Sequence, residues 1–195
     1  MTLRTALIMT AICLPNLVWA VDELSYTYVE ANYQIGEVER LGSDVDFHKT
    51  GGTASYNLTE NIALFGSGSV GEIETTGVGA PKDIDTRDLS AGLTAHFPLY
   101  DNVDLIVPMA IAYGRARAGK DIETDTGYAI AVGVRALLSN RLEVGATIEH
   151  VDIRDDAQSL AGSVRFHLSE TISVALTGSV GNEVDTLALN GRYTF

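Results

Sequence analysis

Cysteine and tryptophan are almost missing from this sequence, which has one residue of each among its 195. The cysteine, Cys13, and the tryptophan, Trp19, both lie near the N-terminus. Ile12 precedes the cysteine, where a lipid-modified cysteine would need small residues. If this N-terminal stretch is removed from the mature protein, a disulfide framework, a catalytic thiol and a lipid anchor are all excluded.

Long apolar runs are missing too. The apolar run at residues 6–14 falls short of the roughly 20 residues that a membrane-spanning helix needs. It follows Arg4 and precedes Val18-Trp19-Ala20, and this order of a basic residue, a short apolar run and a small-x-small end is typical of a secretory signal. We therefore predict that residues 1–20 are a cleaved signal peptide and that residues 21–195 form the mature domain.

Basic residues are scarce. The chain has 13 lysines and arginines against 26 aspartates and glutamates, which gives a formal net charge of −13. A protein that binds nucleic acid needs a basic patch to neutralise phosphates. No such patch is visible in the sequence, and we predict no nucleic-acid partner.

What the chain does contain is an alternation of apolar and small or polar residues with a period of two, which indicates β-strands. The clearest apolar series is Val103, Leu105, Val107, Met109, Ile111 and Tyr113. The other parity is mostly Gly, Ala and Ser, whereas the solvated face of a soluble sandwich would carry more Lys and Glu. The strands are also about 10 residues long, as a tilted membrane strand must be. These features favour a transmembrane barrel, in which closure leaves no unpaired sheet edge.

The alternation recurs ten times, and we predict an all-β, antiparallel up-and-down barrel of ten strands, with eight as the alternative. The expected strands are residues 25–37, 46–58, 61–72, 86–99, 102–116, 126–138, 141–152, 158–168, 171–181 and 185–195. Four tight polar turns alternate with longer polar segments such as residues 72–88 and 117–125, which is typical of periplasmic turns and extracellular loops. We expect a β-bulge at Thr50-Gly51-Gly52, where the alternation is weakest.

The two ends of the mature chain carry a resemblance. The sequence ends in Leu187-Ala-Leu189-Asn-Gly191-Arg-Tyr193-Thr-Phe195, and this ending resembles the sorting signal of outer-membrane barrels, in which Tyr193 and Phe195 would be read by the barrel assembly machinery. The start, Tyr26-Thr-Tyr28-Val29-Glu30, resembles a family of outer-membrane barrels of similar length from gammaproteobacteria, proposed as immune elicitors or quorum factors. More broadly, the chain is similar to OmpA- and OmpX-like barrels. The resemblance implies location in the outer membrane and no catalytic residue.

Six charged residues fall on the parity that faces the lumen. They are Glu30, Arg135, Glu143, Glu149, Arg165 and Arg192. Because buried charges need partners, we expect them to form a network of alternating charge. The favoured interpretation is structural, and the alternative is a selectivity filter for a solute.

Other constellations carry little chemistry. His167-Leu-Ser169 has the His-x-Ser spacing of an outer-membrane lipid A deacylase, but Ser169 is expected at a periplasmic turn, away from an outer-leaflet substrate. Three clusters of acidic residues lie at the ends of the longer polar segments, but their spacing matches no dedicated Ca²⁺ site. They are Asp83, Asp85 and Asp88, then Asp121, Glu123 and Asp125, then Asp152, Asp155 and Asp156. We predict no cofactor, no metal and no catalytic residue.

The expected function is a non-enzymatic structural or surface-interaction role in the cell envelope. A narrow channel for ions or very small solutes is the alternative, since about 16 strands are needed for a wide aqueous channel. An envelope-lipid enzyme is the second alternative. The expected partners of a monomeric barrel are outer-membrane lipid, lipopolysaccharide and, during biogenesis, the assembly machinery.

Overall fold

The computed structural model describes residues 23–40, 43–74, 83–153, 156–182 and 184–195. The predicted signal peptide lies outside these residues. The ten strands are β1 (Tyr28–Arg40), β2 (Ser43–Thr59), β3 (Ile62–Glu74), β4 (Asp83–Tyr100), β5 (Val103–Ala118), β6 (Asp121–Ser139), β7 (Leu142–Asp152), β8 (Asp156–His167), β9 (Ile172–Gly181) and β10 (Val184–Thr194). No helix in the described ranges has the length and apolar character needed to span a bilayer.

The strands form one closed antiparallel barrel, so the prediction of ten strands is confirmed and the alternative of eight is wrong. Each strand pairs with its neighbours in the chain, and β1 also pairs with β10. The closing register places Glu30 directly opposite Arg192. Closure satisfies the backbone groups of every strand from within the sheet, which a lipid environment requires.

The predicted alternation sets which way each side chain faces. Apolar residues of the clearest series lie on the outer wall, and Ile111, for example, is 70% exposed. The buried residues, in contrast, are mostly small or polar, as with Ala63, Ala175 and Ser173. The lumen is therefore filled by small residues and a few charged ones, as expected for a barrel with so few strands.

Among the residues that the structure describes, register irregularities lie at one end of the barrel. The predicted bulge at Thr50-Gly51-Gly52 is absent, because all three residues pair without interruption with both β1 and β3. A bulge there would disturb two ladders at once. The irregularities lie instead at Asn57/Thr59, Pro98/Tyr100 and Leu137/Ser139, each beside a tight turn at residues 60–61, 101–102 or 140–141. We call this the turn end, and the opposite end the far end.

The strands run further at the far end than predicted. The polar segment 117–125 was expected to be a long loop, but β5 continues to Ala118 and β6 begins at Asp121. Gly119, with a φ of 63°, supplies the left-handed residue of the two-residue turn between them. The prediction was wrong because the polar residues at these strand ends are paired across the ladder, which composition alone does not reveal.

Candidate functional site

Glu30 is the centre of the first ion-pair group in the lumen. Its Oε2 atom accepts hydrogen bonds from Arg165 Nη2 at 2.6 Å and from Arg192 Nε at 2.8 Å. Arg165 also donates to Ser173 Oγ at 3.1 Å, and the Arg192 guanidinium lies 3.6 Å from the centroid of the Tyr28 ring. The four strands involved, β8, β9, β10 and β1, are consecutive in the barrel because β1 closes it against β10. One carboxylate is thereby shared by two arginines.

Glu143 is the centre of the second group. Its Oε1 atom accepts a hydrogen bond from Arg135 Nε at 2.8 Å, and its Oε2 atom lies 3.4 Å from His167 Nε2. Glu143 is also directly opposite Arg165 in the β7–β8 register, so the two groups adjoin. The side chains of Arg135 and Glu143 are 12% and 8% exposed. Loss of one member would leave a buried charge without a partner, which is costly.

A segment that precedes β1 closes the turn end of the lumen. The Tyr26 ring is buried and stacks on His96, with centroids 3.8 Å apart, and its hydroxyl donates to Asp104 Oδ2 at 2.7 Å. Arg135 lies 4.6 Å from the centroid of the Tyr26 ring and donates to the Ser25 carbonyl at 3.3 Å. Burial raises the pKa of the Tyr26 hydroxyl above its usual value, which keeps it a donor. We call Tyr26 and its contacts the tyrosine plug.

The charges of the two groups and the plug balance. Arg135, Arg165 and Arg192 are matched by Glu30 and Glu143 and, beside Arg135 in the β5–β6 register, by Asp104. The residues around them enclose a cavity of about 320 Å³, lined by side chains from every strand. The lining towards the far end is mostly neutral hydroxyl and small side chains, including Thr53, Ser67 and Thr177.

Five of the six predicted lumen charges lie in these groups, and Glu149 does not. Glu149 faces the lumen on β7, but in the described part of the chain it has no ion pair. Its register partners are Ala131 and Ser159, and six residues of strand put it roughly 20 Å from Glu143. The expectation that it joins the network is therefore wrong.

Sequence reasoning missed Tyr26, Asp104, His96 and His167 as members of the site. Asp104 has the lumen parity and could have been found from that signal. Tyr26 lies within the expected first strand, residues 25–37, and shares the parity of Glu30, so the same signal could have found it, although β1 itself begins at Tyr28. For His167 the sequence suggested only the His-x-Ser spacing, and no pattern placed His96 against Tyr26.

The His167-x-Ser169 spacing does not form a catalytic pair. His167 points into the lumen towards Glu143. Ser169 belongs to the turn after β8, where its Oγ accepts hydrogen bonds from the backbone N–H groups of Thr171 at 3.3 Å and Ile172 at 2.9 Å. The hydroxyl thus stabilises a turn and faces no base.

The predicted acidic groups are dispersed by the strands. Asp88 turns into the lumen, where it accepts hydrogen bonds from Lys49 Nζ at 2.7 Å and Ser69 Oγ at 3.2 Å. Asp85 faces outward, 3.7 Å from Arg117, and Asp156 lies 3.2 Å from His150. The side chain of Asp83 and residue Asp155 lie outside the described part. Within the described part, no group of three His, Cys, Asp or Glu side chains could hold a metal ion.

The two residues of the predicted sorting signal lie on the outer wall at the end of β10. Tyr193 and Phe195 are 50% and 65% exposed, and their rings stack with centroids 6.1 Å apart. Phe195 still joins the sheet, because its N–H donates to the Thr27 carbonyl at 3.4 Å. Their placement leaves both rings accessible from outside the barrel.

The fold, the apolar outer wall and the filled lumen define a small transmembrane β-barrel. The outer membrane protein beta-barrel domain family matches residues 5–186, and the chain belongs to this family. No curated protein matches the sequence significantly. The protein is thus a β-barrel of the outer membrane.

Solved structures with a similar fold have low sequence identity. The translocator domain of the autotransporter NalP from Neisseria meningitidis has a TM-score of 0.53 and 11% identity, covering 89% of this chain and 90% of that one. An outer membrane channel from Pseudomonas putida F1 has a TM-score of 0.50 and 11% identity, covering 93% and 100%. Ail, the attachment invasion locus protein of Yersinia pestis, has a TM-score of 0.48 and 15% identity, covering 86% and 97%. At these identities the likeness shows the fold alone.

Proposed function

We propose that the protein is a non-enzymatic barrel whose lumen is closed at the turn end and which has a structural or surface-interaction role in the cell envelope. The observation that carries this proposal is that the lumen arginines, although they line the cavity, are held in contacts with acidic side chains and the tyrosine plug. Arg135, Arg165 and Arg192 have side chains that are at most 12% exposed. The network then stabilises the barrel by filling and pairing its interior.

A non-enzymatic role is supported by the position of the groups that could act on a lipid. A serine nucleophile needs an adjacent base that is oriented by a third group. Ser169 and His167 face different environments. The serine opposite His167, Ser173, uses its Oγ to accept a hydrogen bond from Arg165. The envelope-lipid enzyme is therefore the weakest of the three expected functions.

A narrow channel remains the second candidate, and the cavity of about 320 Å³ favours it. The cavity continues from the charged groups towards neutral side chains of the far half. Movement of the tyrosine plug would be needed to join it to the periplasm. Ions or very small solutes are the only cargo that such a space fits.

The partners of the barrel are also part of this proposal. In a monomer embedded in lipid, the lipid covers the whole apolar outer wall, so no second copy of the chain is needed to cover it. Tyr193 and Phe195 are accessible to the assembly machinery during biogenesis. The exposed strand ends at the far end contact lipopolysaccharide and are the surface available to other cells.

Single-channel conductance in a planar bilayer tests the proposal with the barrel purified from outer membranes. We expect a folded, heat-modifiable protein that gives no reproducible conductance steps. Reproducible small steps that change when Arg135 or Arg165 is replaced would overturn the structural role in favour of the channel. Retained thermal stability in an Arg165→Ala variant would also contradict it.

A further inference from the structure

The outer wall carries a cluster of three arginines in a protein that is otherwise strongly acidic. Arg87 on β4 and Arg115 on β5 are directly opposite each other. Arg117 is the next outward-facing residue after Arg115 on β5. All three have the same parity as the lipid-facing residues Leu89 and Tyr113, and so face away from the lumen. We call these residues the arginine cluster.

The cluster lies where the apolar wall ends at the far end. Residues 103–113 of β5 have the roughly 9–11 residue length that a tilted strand needs to cross a bilayer. Outward aromatic residues mark both edges of this band, as the girdles of membrane barrels do. They are Tyr56, Phe97, Tyr100 and Tyr193 towards the turn end, and Tyr33, Tyr113 and Tyr128 towards the far end. Arg115 follows Tyr113 by two residues, which places it at the depth of lipid headgroups.

This edge belongs to the outer leaflet. Outer-membrane barrels have their short turns on the periplasmic side. Here the first residue of β1 and the last residue of β10 both lie at the turn end, as expected for an even number of strands. The far end therefore faces the cell exterior. The headgroups beside the arginine cluster are those of the lipid that the outer leaflet contains.

Among the described side chains, the arginine cluster has one counter-charge, Asp85, for its three cations. Arg117 Nε lies 3.7 Å from Asp85 Oδ2, but both side chains are 55% exposed, so this pair is weak. In the described part of the chain, neither Arg87 nor Arg115 has an ion pair. Like charges directly opposite on a sheet destabilise it, and an anion between them would remove the repulsion. The four side chains of Asp85 and the arginine cluster surround a small pocket of about 60 Å³.

An apolar groove runs down the wall from the same arginines. The part of the groove nearest the far end has a volume of about 480 Å³ and is lined by Arg87 and Arg115 together with Val70, Leu89 and Tyr113. A second depression continues the groove towards the turn end and shares Gly68, Leu89 and Tyr113 with the first part. The wall is indented there because its outward-facing residues are small. Those small residues are Gly52, Ala54, Gly66, Gly68 and Ala91. A groove on a lipid-facing wall suits an acyl chain. The part of this groove nearest the far end opens beside Arg87 and Arg115.

We propose that the arginine cluster and this groove form a binding site for a phosphorylated glycolipid of the outer leaflet, of the lipid A type. Arg87 and Arg115 bind the phosphate with charge-assisted, bidentate hydrogen bonds, to which arginine geometry is suited. The groove holds an acyl chain of the same molecule. The inference rests on the contact with lipopolysaccharide that the proposed function includes, but the site is on the outer wall, so it does not depend on whether the lumen conducts.

The test is thermal unfolding of the full barrel, purified from outer membranes into lipid-free detergent and titrated with defined lipids. Bisphosphorylated lipid A should raise the unfolding temperature, whereas the same lipid without its phosphates, or inorganic phosphate alone, should not. An Arg87→Gln/Arg115→Gln variant should weaken lipid A binding at least about tenfold, as expected for loss of charge-assisted hydrogen bonds. Arg141→Gln removes a charge at the turn end and should leave binding unchanged.

Three results would overturn the site. An equal shift with dephosphorylated lipid A would mean that only the apolar wall binds, and an equal shift with inorganic phosphate would mean a simple anion site. Undiminished binding by the double variant would place the phosphate elsewhere. The comparison among ligands uses the unmodified protein and so remains decisive if the double variant fails to fold.

Discussion

The ring of Tyr26 lies almost parallel to that of His96, with centroids 3.8 Å apart and an angle of 13° between the planes. The contact joins a segment that precedes β1 to the wall formed by β4, and both residues are buried. Because the Tyr26 hydroxyl is also fixed by Asp104, the ring is held across the turn end of the lumen. This arrangement makes Tyr26 the side chain whose removal should most change what passes through the barrel.

We expect Tyr26→Ala to produce reproducible conductance steps in a planar bilayer where the unmodified barrel gives none. The substitution removes both the stacked ring and its hydrogen bond to Asp104, and so opens the cavity towards the periplasm. Tyr26→Phe keeps the ring and should remain silent. Tyr33→Ala is the matched control, because Tyr33 is 51% exposed on the outer wall. If Tyr26→Ala were as silent as this control, another part of the lumen would block the path.

Glu143→Gln should lower the free energy of unfolding by about 3 kcal/mol, because it leaves the buried Arg135 without its carboxylate. Urea titration of the barrel in lipid vesicles gives this quantity. Glu149→Gln is a close control: both glutamates are on β7 and face the lumen, but Glu149 has no ion pair in the described part of the chain. We expect a much smaller change for it, and a similar loss from both variants would contradict a specific role for the network.

Most of the fold could be predicted from the sequence because the signal is local. In each strand, apolar residues alternate with small or polar ones with a period of two. Closure of an even number of such strands follows from the need to pair every backbone group in lipid. The ends of the strands could not be predicted equally well. Between Arg117 and Asp125, polar residues form strand as well as turn, since the paired ladder of β5 and β6 extends beyond the apolar band.

The site was predictable to the extent that it depends on parity and closure. Glu30 meets Arg192 because β1 and β10 are the closing pair, and both positions face the lumen. Tyr26 has the parity of Glu30, but neither rule predicts that its ring reaches across the lumen to His96 on β4 and Asp104 on β5. Glu149 shows the opposite error: parity is correct, but distance along the strand separates it from every arginine of the network.

Gly92→Ala should destabilise the barrel by about 1–3 kcal/mol, the usual effect of overpacking. A Cβ at Gly92 would clash with the backbone of Met109 and Ala110 on the neighbouring strand, and backbone atoms cannot rotate away. Gly191→Ala is the control, because a Cβ there meets no atom within 4 Å. Urea titration of the two variants under identical conditions should show a loss for Gly92→Ala alone.

Removal of Phe195 should reduce the amount of folded barrel in outer membranes several-fold while leaving refolding in detergent nearly unchanged. The reason is that Phe195 contributes one hydrogen bond to the sheet, to the Thr27 carbonyl at 3.4 Å, and its ring is 65% exposed on the outer wall. A residue with so few contacts has little influence on stability, so a strong effect in cells would come from recognition by the assembly machinery. Heat-modifiable mobility of the protein from isolated outer membranes measures the folded fraction, and Leu189→Ala, on the same strand and 60% exposed, is the control. Equal losses in cells and in detergent would assign Phe195 a role in stability, and no loss in cells would show that the terminal aromatic residue is not read.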